Sequence, residues 1–216
     1  MKKILVTAGS TIIAIDQVRV ISNIFQGKTG GRIANYLSKI GCEVTLITSR
    51  KSQRKKDNLR IVRYRTYDEL YQRMEEEITQ GNYDIIIHSA AVSDYFVAGT
   101  YYKDENGMLV QIDSSKKISS SHPSLFLELV PTAKIIDQIR TPWGFNGKLV
   151  KFKLQVGISD DELLEIARKS RTDSKADVMV ANCLEWSDKY AYIVIDGKER
   201  KITRRKLPEQ LVGTLL

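Results

Sequence analysis

Two cysteines and two histidines are all that 216 residues supply of the side chains that most often hold zinc. Cys42 and Cys183 lie in or beside apolar β-like segments, the setting of buried reduced thiols rather than of a disulfide. His88 and His122 fit no Cys/His spacing, so a structural zinc is not expected and no residue is assigned to a metal. Long hydrophobic runs are missing as well. No stretch reaches the roughly 18 apolar residues needed to cross a bilayer, and Lys2 and Lys3 precede a short β-type run with no small-residue cleavage pattern. A cytoplasmic protein with no membrane partner is expected. Internal repeats and low-complexity linkers are absent too, and the length favours a single domain over residues 1–216.

Acidic side chains are in deficit, 26 against 34 Lys and Arg, which gives a formal net charge of +8. Such a balance suits a nucleic-acid surface or a pocket for anionic small molecules. The densest basic runs are RKSQRKK at 50–56 and KERKITRRK at 198–206. Aromatic residues do not interleave with either run as a base-stacking platform requires, so no nucleic-acid partner is expected, and the first run reads as a solvated loop.

What is present is alternation. KKILVTA, CEVTLIT, YDIIIH, KLVKFKLQV and ADVMVAN read as strands; TGGRIANYLSKI, YDELYQRMEEEI, PTAKIIDQIR and SDDELLEIARKS read as helices between them. The pattern predicts an α/β fold with a doubly wound, mainly parallel, Rossmann-like sheet. Ser159 and Glu162 have the spacing of a capping box. AYIVIDGKERKIT reads as a hairpin around Asp196-Gly197, followed by a short closing helix. Residues 97–130 break the alternation: YYKDENGMLVQI is a second hairpin signal around Asn106-Gly107, and KKISSSHPSLFLELV reads as extended. An antiparallel ribbon leaving such a sheet must bury its apolar residues somewhere, and a symmetric partner is the usual solution, so 97–130 is the candidate dimerisation arm.

The phosphate-binding motifs of such folds are missing. The first turn, TAGSTIIAID, lacks Gly-x-Gly-x-x-Gly, and the second strand ends in LITSRK without an acidic residue, which disfavours a nicotinamide-dependent reductase. Gly27-Lys28-Thr29 resembles the end of a P-loop, but Ser22 occupies the place of its first glycine and no strand immediately precedes it. What remains is a long loop from Asp16 to Lys28 that opens a helix at Thr29-Gly30-Gly31. The glycines either let an anionic ligand approach the helix N-terminus or let the helix pack closely on the sheet. Arg19 and Asn23 on that loop offer a guanidinium and a two-way amide. At the carboxyl end of YDIIIH, the stretch HSAAVSDYF leaves space at Ala91 and brings Asp94 to the same sheet edge, with a helix cap at Ser93 or Asp94 as the alternative.

With DQVRVISN, the GKTGG helix start, HSAAVSDY, KKISS, LELVPTAKII and ADVMVAN in this order, nearly the whole chain resembles phosphopantothenate-cysteine ligase, in its stand-alone bacterial form. The resemblance implies a homodimer in coenzyme A biosynthesis. In proteins it resembles, the carboxylate of 4′-phosphopantothenate attacks CTP, accompanied by Mg²⁺, to give pyrophosphate and an acyl-cytidylate, and the amine of L-cysteine then displaces CMP. It implies that Asn23 holds the acyl-cytidylate, that Arg19, with Gly30, Gly31, Ala91 and Asp94, binds the pantothenate substrate, and that Lys117 reaches the site from the arm. Gly9, Ser10, Phe152 and Lys206 would meet the nucleotide, and Lys169 or Lys175, in a loop ARKSRTDSKAD, its triphosphate. Departures from the family pattern are Ser10 for a glycine, Lys153 and Gln155 beside Phe152, and Cys183 where aspartate usually follows Ala-Asn. The same ligation with ATP, a non-catalytic phosphopantothenate- or nucleotide-binding regulator, and a basic nucleic-acid binder are the alternatives.

Overall fold

A computed structural model describes residues 1–54 and 57–216 of the chain. In chain order its elements are β1 (Lys3–Ala8), β2 (Ile12–Ala14), β3 (Val20–Ser22), α1 (Lys28–Lys39), β4 (Glu43–Thr48), β5 (Leu59–Arg63), α2 (Tyr67–Gln80), β6 (Ile85–His88), β7 (Tyr95–Lys103), β8 (Leu109–Gln111), β9 (Phe126–Pro131), α3 (Ile135–Arg140), β10 (Lys148–Gln155), α4 (Asp160–Asp173), β11 (Val178–Cys183), β12 (Tyr190–Ile195), β13 (Lys198–Thr203) and α5 (Leu207–Leu215).

The described residues form an eight-stranded sheet in the order β13-β12-β11-β10-β6-β1-β4-β5. From β5 to β11 the neighbours run parallel, and the β12–β13 hairpin closes one edge antiparallel. Counting only the parallel strands in chain order, the sheet reads 3-2-1-4-5-6, so the winding reverses between β1 and β6, where ligands of such sheets bind at the carboxyl edge. β5 was not anticipated: in LRIVR the apolar residues are interleaved with arginines, which hides a short edge strand.

Strand periodicity divides the core. Ile4, Val6 and Ala8 of β1 pack with Ile33 and Leu37 of α1 and Leu211 of α5, whereas Leu5 turns to the other face with Leu70 and Met74 of α2 and Ile139 of α3. Each of these side chains is fully buried, and each one larger than Ala8 contributes about 1.5–3 kcal/mol by leaving water. The Ser159–Glu162 capping box is present at α4, and Thr66 with Glu69 makes a second one at α2.

Two loop readings need correction. The Asp16 to Lys28 loop is not irregular throughout, because β2 and β3 pair antiparallel from Ile12↔Ser22 to Ala14↔Val20. ARKSRTDSKAD is not a loop throughout: helix α4 continues into it as far as Asp173. The arm is a separate three-stranded antiparallel sheet, β8-β7-β9, beginning at Tyr95 and turning at Asn106-Gly107. In KKISSSHPSLFLELV the strand begins only at Phe126, where β9 starts. Of the basic run at 50–56, Lys51 and Arg54 are exposed, Arg50 is half-buried, and Lys55 and Lys56 lie outside the described residues.

Candidate active site at the sheet switch point

The site begins where β1 ends. Gly9 has φ +94°, and a side chain on it would run into Ser49. Gly27, with φ +69°, returns the chain onto the same point: a Cβ there would sit 2.3 Å from the Gly9 nitrogen. The late glycine and the early one are therefore in contact, and the Thr11–Gln26 excursion starts and finishes at one place on the sheet. At Gly30 a Cβ would lie 2.4 Å from Ser89 Oγ and 2.6 Å from Ala8 Cβ, so the missing side chain there serves helix-on-sheet packing. Gly31 is buried and faces Gln53, on the flank of α1 away from the Asp16 to Lys28 loop.

The loop is organised by a residue that the motif reading passed over. The Asp16 carboxylate accepts N–H bonds from Val18 and Arg19 at 2.8 and 2.7 Å, closing the turn of the β2–β3 ribbon. Its other oxygen accepts the Ile118 N–H at 3.1 Å and lies 3.4 Å from Arg19 Nη1, while Arg19 Nη2 donates to the Ile118 carbonyl at 2.9 Å. The Arg19 N–H leads a set of backbone donors that hold the Asp16 carboxyl below its ordinary value. This lattice ties the ribbon to the arm and sets Lys117, exposed and next to buried Ile118, beside Arg19. An Asp two residues ahead of a turn N–H is an Asx-turn signal, and it stands in the sequence as Asp16-Gln17-Val18.

Asn23 follows β3, exposed, with its amide nitrogen 3.3 Å from the Ala91 carbonyl. Ala91 donates its N–H to the Gly9 carbonyl at 2.8 Å and accepts from Thr11 N–H, and Ser10 Oγ lies 3.0 Å from Ser22 Oγ. Gly9, Ser10, Asn23 and Ala91 are thus one cluster. Asp94 is exposed three residues on, where its carbonyl accepts the Thr132 N–H. Beneath them, His88 Nδ1 lies 2.9 Å from Thr7 Oγ1, which accepts the Ala90 N–H at 3.1 Å. Burial, then the neighbouring Lys151, pulls the His88 imidazole down to about 4.

Phe152 is half-buried on β10 opposite Val180, on the sheet face that α1 covers. Lys206 is exposed at the start of α5, and two residues earlier Arg204 donates to Thr29 Oγ1 in the first turn of α1. Arg204 was not singled out from sequence. Its Nη1 is buried with no partner among the described residues, and burial followed by the nearby Arg32 lowers its pKa.

Lys169 and Lys175 are not brought to this cluster. Lys169 pairs with Asp173 at 2.9 Å late in α4, and Lys175, at φ +50°, precedes β11 with its carbonyl held by Arg140 at the amino edge of the sheet. Helix α4 carries Lys169, and the turn after it Lys175, away from the carboxyl edge, so neither side chain stands beside this cluster.

A family described as the DNA/pantothenate metabolism flavoprotein C-terminal domain matches residues 1–207. The chain belongs to this family. Over 97% of its length it is 35% identical to the coenzyme A biosynthesis bifunctional protein CoaBC of Thermococcus kodakarensis, of which it covers 50%. The chain spans about half the length of the curated relatives that it matches most fully. A crystal structure described as the DNA/pantothenate metabolism flavoprotein from Streptococcus pneumoniae superposes with a TM-score of 0.87 at 33% identity, covering 99% of this chain and 98% of that one. The fold is also that of a Cab2 variant solved in complex with phosphopantothenate-cysteine, with a TM-score of 0.75 at 16% identity over 99% of this chain and 85% of that one.

Proposed function

We propose that this family member joins 4′-phosphopantothenate to the amine of L-cysteine in coenzyme A biosynthesis, using CTP to activate the carboxylate. The observation that carries the reading is the convergence of Asn23 and Ala91 on the Gly9-Ser10 turn at the point where the sheet reverses, with Arg19 held on the same loop against the arm. The relatives named for coenzyme A biosynthesis and the fold shared with a phosphopantothenate-cysteine complex support the choice of substrate.

In this reading a carboxylate oxygen of phosphopantothenate attacks the α-phosphorus of CTP, the bond to the β-phosphate oxygen breaks, and pyrophosphate leaves. The cysteine nitrogen then adds to the acyl carbon of the anhydride and CMP departs with the electron pair. Two polyanions must first be brought together. Arg19 and Lys117, with Lys206 beyond the first turn of α1, supply positive charge for that encounter. Asn23 turns its amide from the Ala91 carbonyl to the anhydride, which orients it without transferring a proton. Among the described residues no three His, Cys, Asp or Glu side chains converge. In this reading Mg²⁺ accompanies the triphosphate as its counter-ion, and no step is assigned to it. The cytoplasm is the compartment that fits this substrate set.

The test is pyrophosphate release on incubation with phosphopantothenate, cysteine, Mg²⁺ and either CTP or ATP. Release that needs phosphopantothenate and is faster with CTP is expected; none with either nucleotide sinks the ligase reading, and faster release with ATP reverses the choice of activator. Asn23→Asp is expected to slow amide formation by about 100-fold, with a smaller change in nucleotide affinity.

A further inference from the structure

A basic cavity lies on the other flank of α1. Between that helix and the loop after β4 is a cavity of about 290 Å³ lined by Lys28, Gly31, Arg32, Asn35, Arg50 and Gln53. Three of the six residues are cations and none is acidic. Lys28, Arg32 and Arg50 enter no ion pair among the described residues.

The wall of this cavity is fixed. Gln53 is buried and donates through its side chain to Asn35 Oδ1 at 3.0 Å. Its carbonyl accepts from Arg63 Nη2 at 2.8 Å, and Arg63 Nη1 holds the Arg50 carbonyl, so one guanidinium clamps both ends of the 50–53 turn. A Cβ on Gly31 would stand 2.9 Å from Gln53 Oε1, which explains a second glycine in α1 that the substrate loop does not use.

Topology gives the cavity a ligand. β4 is the second parallel strand of a 3-2-1-4-5-6 sheet, and the residues just after that strand face the ribose of a bound dinucleotide, an acid for free hydroxyls and an arginine for a ribose phosphate. Here β4 ends at Thr48 and Arg50 follows. We propose that the cavity binds the phosphorylated ribose of a nucleotide carrying a 2′- or 3′-phosphate, for which adenosine bisphosphates are the probes. Arg50 and Arg32 take the phosphate, and the Asn35–Gln53 amide pair lies beside the sugar.

Calorimetric titration of the protein with adenosine 2′,5′-bisphosphate, adenosine 3′,5′-bisphosphate, 5′-AMP, inorganic phosphate and CTP tests this, using wild type, Arg50→Ala and Arg32→Ala. One bisphosphate is expected to bind at least about tenfold tighter than 5′-AMP or phosphate, and each variant is expected to lose about tenfold for it with an unchanged circular dichroism spectrum. Preference for the 2′- or the 3′-isomer identifies whether the source is a dinucleotide or a 3′-phosphoadenosine. No binding of either bisphosphate, binding no tighter than phosphate, or indifference to Arg50→Ala overturns the proposal. If Arg50→Ala weakens CTP by the same factor, the cavity is only the end of a triphosphate tract and the proposal also fails. A protein that binds a bisphosphate but not CTP would refute the nucleotide assigned above and leave this site standing.

Discussion

Gly27 and Gly213 show how differently one residue type can act in this chain. Gly27 lies in the left-handed region, and a methyl group there would meet the Gly9 backbone, whereas Gly213 sits in α5 with nothing within 4 Å of a Cβ. Gly27→Ala is expected to cost about 2–4 kcal/mol and Gly213→Ala to stabilise by about 0.5–1 kcal/mol, measured by chemical denaturation. Equal effects would contradict the contact between Gly9 and Gly27. His88 makes a second prediction. Thr7 Oγ1 already accepts from Ala90, so its hydroxyl proton is free for His88 Nδ1, which suits a neutral ring. Because the folded pKa, about 4, lies below the ordinary 6.5, the unfolded chain binds the proton first. The stability contributed by neutral His88 is complete above about pH 6.5 and is lost as the pH falls toward 4, on the order of 3 kcal/mol in all. His88→Gln should flatten that window in denaturation curves taken from pH 7 to 4; an unchanged slope would refute it. At this scale the sequence displayed the glycines but not which surfaces they meet. For Gly30 and Gly31 those surfaces come from Ser89 and Gln53, 59 and 22 positions further along the chain.

At the scale of elements, the strands and helices were legible wherever apolar periodicity ran unbroken, as in KILVTA or DDELLEIA. They were not legible where a short element is held by partners distant in sequence. The β2–β3 ribbon has three residues per strand, and its turn is closed by Asp16, whose carboxylate also holds Ile118 from 102 positions away. No local pattern encodes that bond. The end of α4 was misread for the opposite reason: SRTDSKAD looks like a polar loop, yet α4 extends to Asp173 and its last turns carry Lys169 toward the amino edge. Asp16→Ala would leave the Val18, Arg19 and Ile118 N–H groups without their acceptor. Faster hydrogen exchange in both 16–22 and 113–120 is expected, with a lower ligation rate; exchange confined to the ribbon would refute the coupling to the arm.

At the scale of the molecule, the doubly wound sheet was readable from alternation alone, but its strand order was not, since order depends on which crossovers pack on which face. The arm was readable as a break in that alternation. It leaves Tyr95, Phe96, Met108, Leu109, Phe126 and Leu129 exposed, more apolar surface than a ribbon of this size keeps in water. We propose that a second copy covers it. Sedimentation should show a dimer that Phe96→Asp with Leu129→Asp converts to monomer, with at least about a tenfold fall in ligation; a monomeric wild type would refute the pairing. The meeting of Gly9 and Gly27 has one more consequence. A chain segment whose two ends rest on one spot closes on itself whatever its length between them, because the closure is made by backbone packed on backbone. The length of residues 11–26 is therefore free to vary at little cost to the sheet, while what lies inside them is constrained by the Asp16 and Arg19 bonds to Ile118.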